Sequence, residues 1–174
     1  MPIYINGSSR KGGHTTSIAK LLKGKSQYDI IHLSDYNIGY FEYDHSNKED
    51  DFMPLMDELL EFDTWILLTP IYWYSMSARM KTFFDRLSDL LKWEKELGHK
   101  IKGSKWYALS CGSDKEEVPG FFEPFKLSAE YLGARYMGDI HVWKDNRQPL
   151  EELVIQRLEK FATAISSGIP VQYS

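Results

Sequence analysis

Short apolar runs alternate along the chain with longer stretches in which apolar residues recur every three or four positions, the mark of strands separated by amphipathic helices. Pro2–Asn6 (PIYIN) is the first run, and a glycine-rich turn leads from it into a helix expected over about Thr15–Lys23, with Gly24 placed to stop it. Tyr28–Leu33 (YDIIHL) reads as the second strand. A polar connection dotted with aromatics, residues 34–50, then reaches DDFMPLMDELLEF, whose acidic start and early Pro54 suit a helix N-terminus.

The third strand, TWILLTP, is apolar almost throughout, as expected where both faces of a parallel sheet are covered. After it comes the strongest helical period in the chain. Met76, Met80, Phe83, Phe84, Leu87, Leu90 and Leu91 fall on one side, with Arg79, Asp85, Arg86 and Asp89 opposite, facing solvent or a partner. SKWYALSCG is the fourth strand, a helix is expected to end at Gly133, and ARYMGDIHVW is the fifth strand. Pro149 opens a last helix with Leu150, Leu153, Val154, Leu158, Phe161 and Ile165 on one side. Five strands separated by helices imply parallel pairing with right-handed crossovers, hence one α/β domain over residues 1–174, built as a three-layer α/β/α sandwich. In such sheets ligands sit beyond the carboxyl ends of the strands where the winding reverses, so the loops after strands one, three and four matter most.

Charge narrows the partners. The chain has 21 Lys and Arg against 25 Asp and Glu, a net charge of -4, and its cations are scattered, which argues against a nucleic-acid surface or a polybasic membrane patch. No apolar run approaches a membrane span and MPIYI lacks the marks of a signal peptide, so a soluble, cytoplasmic protein is expected. Cys111 is the one cysteine, leaving no intrachain disulfide and no cysteine cluster, and the five histidines show no helical pairing with carboxylates, so no metal site is expected. Aromatics make up 14% of the chain and gather in YFEY, IYWY and VPGFFEPF, which raises the prospect of a planar ligand or a subunit interface.

The first loop, NGSSRKGGHTTS, fails two familiar patterns. A Walker A loop needs Lys and then Ser or Thr after its second glycine, where this chain has Gly13 and His14; a dinucleotide fingerprint needs glycine where Ser9 stands. What remains is a hydroxyl-rich turn. Ser8, Ser9, Thr15 and Thr16 can donate side-chain hydrogen bonds, glycines let backbone N–H groups close around an anion, a helix end adds attraction, and Arg10 supplies charge and a planar donor fork. That is chemistry for a terminal phosphate monoester. Ordinary capping of the helix would use one hydroxyl, not four.

The third loop, TPIYWYS, places three consecutive aromatics, Tyr72, Trp73 and Tyr74, after Pro70 at the same sheet edge, where a flat ring system can lie against them. A phosphate loop beside an aromatic loop describes a phosphorylated flat cofactor. Cys111, with no basic residue beside it in sequence, reads as a small packed residue rather than a nucleophile.

GSSRKGGHT resembles the Gly-Ser-x-Arg-x-x-Gly-Asn-Thr phosphate loop, and TPIYWYSMSARMKTFFDRL the Pro-x-Tyr-Trp…Met…Lys-x-Phe-x-Asp-Arg-Leu signature, of the NAD(P)H-dependent FMN reductases and iron-sulfur flavoproteins. The resemblance implies a flavodoxin-like fold with a five-stranded parallel sheet in the order 2-1-3-4-5. It implies FMN as cofactor, with its phosphate near Ser8, Ser9, Arg10, His14, Thr15 and Thr16, and with Pro70, Ile71, Tyr72, Trp73 and Tyr74 bordering the isoalloxazine. Ser110, Cys111, Gly112 and Ser113 would close the other side of the ring. His14 stands where the family has asparagine, and the connection YNIGYFEYDHSNKEDD carries none of the cysteines of the iron-sulfur members, so a cluster-free member is expected. NADPH or NADH would then reduce the flavin by hydride transfer, chemistry borne by the cofactors, so no residue is assigned as catalytic acid or base. Electrons would pass to a quinone, a nitro or azo compound, or a second flavin. A homodimer is expected, with the aromatic segments at 40–43 and 121–125 as candidate contacts. Two other readings stay open: a flavodoxin-like electron carrier without nicotinamide activity, and a binding protein that kept the fold without the flavin.

Overall fold

Alternation along the strands sorts the apolar side chains into two cores, one on each face of a twisted sheet. In the computed structural model, which describes residues 1–145 and 148–171, the parallel strands are β1 (Pro2–Asn6), β2 (Ile30–His32), β3 (Thr64–Tyr72), β5 (Lys105–Gly112) and β6 (Arg135–Trp143). They lie in the order β2-β1-β3-β5-β6, which is the expected 2-1-3-4-5. A sixth strand the periodicity did not reveal, β4 (Ser75–Met76), pairs antiparallel with the end of β3. Helices α1 (His14–Ser26) and α6 (Glu152–Ser167) cover one face; α2 (Phe52–Leu59), α3 (Ala78–Lys92), α4 (Lys95–Ile101) and α5 (Glu123–Tyr131) cover the other.

The period of two decides which core each strand residue joins. Ile3, Ile5, Trp65, Leu67, Trp106 and Ala108 pack with Phe52, Phe83 and Phe125, whereas Tyr4, Ile66, Leu68, Tyr107 and Leu109 pack with Ile18, Leu22, Leu158 and Phe161. Trp65 and Trp106 are paired across β3 and β5 and stack at 5.1 Å. In β6 the alternation slips. Trp106 pairs with Tyr136 but Ala108 pairs with Asp139, so β6 uses one more residue than its neighbour, accommodated at Gly138 with φ 104°. Met137 and Ile140 therefore face the same core, and His141 turns toward Ser110 on the opposite face.

Several boundaries differ from the sequence reading, each for a physical reason. Gly24 does not end α1; the helix runs through it to Ser26 and closes at Gln27, whose left-handed backbone (φ 64°) brings its N–H to the Lys23 carbonyl at 2.8 Å. A glycine inside a helix costs only ~1 kcal/mol, and the buried face of Ile18, Ala19 and Leu22 outweighs that. Arg86 and Asp89 are not on a solvent face. Both are almost wholly buried: Arg86 Nε donates to Asp89 at 2.7 Å, and its terminal nitrogens reach Asp50, the Gly39 carbonyl at 3.1 Å and the Asn47 carbonyl at 3.3 Å. The aromatic segment 121–125 is likewise no outer surface, since Phe121, Phe122 and Phe125 join the core.

Candidate cofactor cleft

The loops after β1, β3 and β5 converge, as the topology requires, on one sheet edge. Between them runs a cleft of two chambers that share Ile71, Gly112 and Ser113. The first, about 300 Å³, is lined by Ser8, Arg10, Gly12, Gly13, His14, Thr15, Pro70, Tyr72 and Cys111 as well. The second, about 260 Å³, adds Trp73, Tyr74, Asp114, Glu116, Val118 and His141. Together they fall in the ~300–1,000 Å³ range of small-molecule sites.

The first loop is knitted from beneath by Asn6, at the end of β1. Its Nδ2 donates to Thr16 Oγ1 and to His32 Nδ1, each at 3.0 Å, while its Oδ1 accepts the Ser8 N–H at 3.0 Å. Thr16 in turn donates to the Arg10 carbonyl at 2.9 Å, and Ser8 Oγ accepts the Arg10 N–H at 3.2 Å. Thr16 is thus spent on shaping the loop and does not line the cleft, and Ser9 points to solvent. Lys11 is drawn away to Asp35 at 2.6 Å.

What the loop offers a ligand is the start of α1. Gly13 precedes the helix in extended backbone with no side-chain cap, and the first turn holds no acid, so N–H groups and the positive helix end face the chamber. A Cβ at Gly13 would sit 3.1 Å from Arg10 Cβ and 3.4 Å from Ser8 Oγ, so a side chain there would crowd the loop. Arg10 and Thr15 stand on the wall, and no carboxylate is among the described residues lining this chamber. A phosphate monoester fits: donors and positive charge converge, and nothing repels it.

Opposite, the aromatic loop is a β-hairpin. β3 and β4 pair through Ile71–Met76 and Tyr72–Ser75, leaving Trp73 and Tyr74 as a two-residue turn with φ 50° and 63°. Both central residues at positive φ define the turn that suits Asn-Gly. Two bulky aromatics in left-handed backbone cost of order 1–3 kcal/mol each, and they are 94% and 76% exposed, so no burial in this chain offsets the strain.

The third wall turns on His141, which nothing in its neighbourhood along the chain singled out. Its Nε2 lies 2.8 Å from the Asp114 carbonyl and its Nδ1 2.9 Å from Ser110 Oγ. Burial holds the imidazole below its ordinary pKa, only partly countered by the Asp114 carbonyl. The neutral ring therefore donates from Nε2 to Asp114 and accepts from Ser110, fixing the turn that carries Gly112, Ser113 and Asp114. Ser110 is fully buried and acts through this relay rather than on the cleft. Cys111 lines the first chamber, but burial pushes its thiol up to about 11, so it is neither thiolate nor nucleophile at neutral pH.

Residues 3–115, which hold all three loops, match the profile of the family described as NADPH-dependent FMN reductase. The Bacillus subtilis protein YwqN, named for NAD(P)H-dependent, FMN-containing oxidoreductase activity, is 26% identical over 144 residues, covering 77% of this chain and 80% of YwqN. The Escherichia coli protein YcaK, an uncharacterised NAD(P)H oxidoreductase by name, is 38% identical over 85 residues, 43% of this chain and 40% of that one. Among solved structures, the Trp repressor binding protein of Bacillus subtilis superposes with TM-score 0.73 at 21% identity, over 94% of this chain and 96% of that one. The general stress protein 14 of Treponema denticola, solved in complex with FMN, gives 0.63 at 15% identity, over 96% of each chain. Since the profile spans well over half of the sequence, the chain belongs to the NADPH-dependent FMN reductase family, whose members bind FMN and draw electrons from NAD(P)H.

Proposed function

We propose that this chain holds FMN with its phosphate against the start of α1 and its ring between the aromatic hairpin and the Gly112–Ser113 turn, and passes electrons from NADPH or NADH to a small planar acceptor. Candidate acceptors are a quinone, a nitro or azo compound, or free flavin. The observation that carries the reading is one juxtaposition: an uncapped helix start with Arg10 and Thr15 faces Pro70, Ile71 and Tyr72 across a single chamber. FMN, when bound, supplies the hydride chemistry. The chain's part is to bind and orient: Arg10, Thr15 and the N–H groups of the loop grip the phosphate, Trp73 and Tyr74 border the ring, and His141 holds the facing turn. No side chain is needed as acid or base.

The test is direct. Purified protein is yellow, and NADPH or NADH bleaches it without oxygen. Arg10→Ala with Thr15→Ala weakens FMN at least about tenfold (~1.4 kcal/mol) while leaving riboflavin nearly unchanged. A colourless protein that takes up no FMN removes the proposal in favour of a flavin-free binding protein; a yellow one untouched by either nucleotide favours an electron carrier.

The same reading includes a cytoplasmic homodimer. A buried lone cysteine suits a reducing compartment, and no helix among the described residues is long and apolar enough to cross a membrane. An apolar groove between α3 and α5 leaves Leu91, Leu127 and Tyr131 exposed, a face a second copy would cover. Light scattering on Leu127→Glu with Tyr131→Glu checks it, with a shift from dimer to monomer expected.

A further inference from the structure

Charge divides the cleft in two. The first chamber carries Arg10 and no carboxylate, whereas the second carries Asp114 and Glu116 and, among the described residues lining it, neither Lys nor Arg. Two cations next to this wall are engaged elsewhere: Arg157 donates to the His141 carbonyl at 3.0 Å and lies over the Trp143 ring at 5.2 Å, and Lys115 faces the same ring at 5.7 Å, while Lys144, bonded through its backbone N–H to the Gly112 carbonyl, acts on Cys111 in the first chamber. His141 adds no positive charge, since its Nε2–H is given to the Asp114 carbonyl and its Nδ1 accepts from Ser110. The remaining wall is the strained pair Trp73 and Tyr74, two electron-rich faces left open to solvent.

We propose that the second chamber selects planar aromatic acceptors that are neutral or cationic where they enter it, and that Asp114 and Glu116 turn away acceptors bearing anionic substituents on the ring. The proposal rests on the reading of the cleft as an FMN reductase site, with the flavin ring reaching from the first chamber to Ile71, Gly112 and Ser113, which both chambers share, and the acceptor meeting its edge from the second. Both halves of the wall act in one direction, because an aromatic face attracts a cation and a carboxylate attracts it further while opposing an anion. The nicotinamide donor meets the same rule. Its phosphates are many bonds from its ring, so the ring can enter without bringing negative charge to the carboxylates, and once it has given up hydride it is itself a pyridinium cation. The two carboxylates are solvent-exposed, so screening limits the preference to about fivefold to tenfold at low ionic strength and makes it salt-sensitive.

The experiment uses oxidised, FMN-loaded protein and two naphthoquinones alike in size, one carrying a trimethylammonium group and one a sulfonate. Dissociation constants come from the flavin absorbance change and from tryptophan quenching. The cationic quinone is expected to bind about fivefold to tenfold more tightly at low salt, and the ratio to fall toward one at high salt. In the Asp114→Asn, Glu116→Gln double variant it should fall toward one at low salt as well. Equal affinities in the unaltered protein, or a preference that survives in high salt, overturn the proposal even where the double variant does not fold. Should the protein take up no FMN, the functional reading fails by itself, and tryptophan quenching of the flavin-free chain still decides the charge preference.

Discussion

Ser77 Oγ donates to the Gly7 carbonyl at 2.7 Å, joining the first loop of the cleft to the start of α3 from 70 positions away in sequence. The same oxygen caps α3 by accepting the Met80 N–H at 3.2 Å, and the Ser77 N–H reaches Thr69 Oγ1 at 3.0 Å. One hydroxyl thus ties the first loop to the start of α3 and, in the function proposed above, sets the spacing between the loop assigned to the phosphate and the hairpin assigned to the ring. Ser77→Ala should cost ~1–2 kcal/mol in urea denaturation, from the lost cap and the stranded carbonyl. It should also weaken FMN without a direct contact; unchanged FMN affinity would show that the spacing does not matter.

Gly7 is held just as closely from the other side. An added Cβ would lie 3.0 Å from both Cβ and Cε of Met80 and 3.2 Å from Ser77 Oγ. The Met80 Cβ is anchored to the helix and cannot swing aside, so Gly7→Ala should destabilise by ~1–3 kcal/mol and loosen FMN. Thermal melts with and without FMN check both effects.

The Trp73–Tyr74 turn trades stability for exposed rings. Replacing the pair by Asn-Gly, which adopts the same backbone without strain, should stabilise the protein by ~1–2 kcal/mol and lower affinity for flavin and for planar acceptors. If the variant is no more stable, the left-handed turn carries no strain of consequence.

Arg86 predicts a steep loss. Burial alone would raise the Asp50 carboxyl, but hydrogen bonds from Arg86 and from the N–H groups of Phe52 and Gly39 outweigh it and hold it below the usual range. Arg86→Ala leaves Asp50 and Asp89 without their cation and should cost ~3–5 kcal/mol; Arg86→Lys cannot reproduce the planar fork and should rescue only part. Chemical denaturation of the two variants gives the comparison.

His141 sets a pH window. Its folded pKa lies below the unfolded value of ~6.5, so its contribution is fully present above about pH 6.5 and is lost as pH falls from there through the folded value. Stability measured from pH 8 down to pH 5 should fall on this limb, and His141→Gln should flatten it.

Much of this was readable from the chain. Apolar runs such as TWILLTP located the parallel strands, and the residue types of SSRKGGHT raised the expectation of an anion site at a loop that lines the cleft. Other features had no local signal. Arg86 and Asp89 follow a helical period that looks the same whether the polar stripe meets water or a buried network, and Asp50, the other partner of Arg86, lies 36 positions earlier. The hairpin at Trp73–Tyr74 lacks the glycine or asparagine that marks such turns, so nothing in its composition announced the left-handed backbone. The Ser110–His141 bond joins neighbouring strands, and His141 was placed there only by the extra residue at Gly138.

That extra residue makes the pairing of β6 as consequential as its composition. Beyond Gly138 every side chain has its facing set by the bulge, so the same residues paired one against one from Tyr136 onward would present the opposite sides of the strand's end. The imidazole would then lie opposite Cys111, toward the α1/α6 layer, and Ile140 would take its post beside Ser110, releasing the turn at Asp114. A relative that pairs this strand without the bulge, at the same length, would therefore diverge at the cleft while matching this chain at every position that lines it.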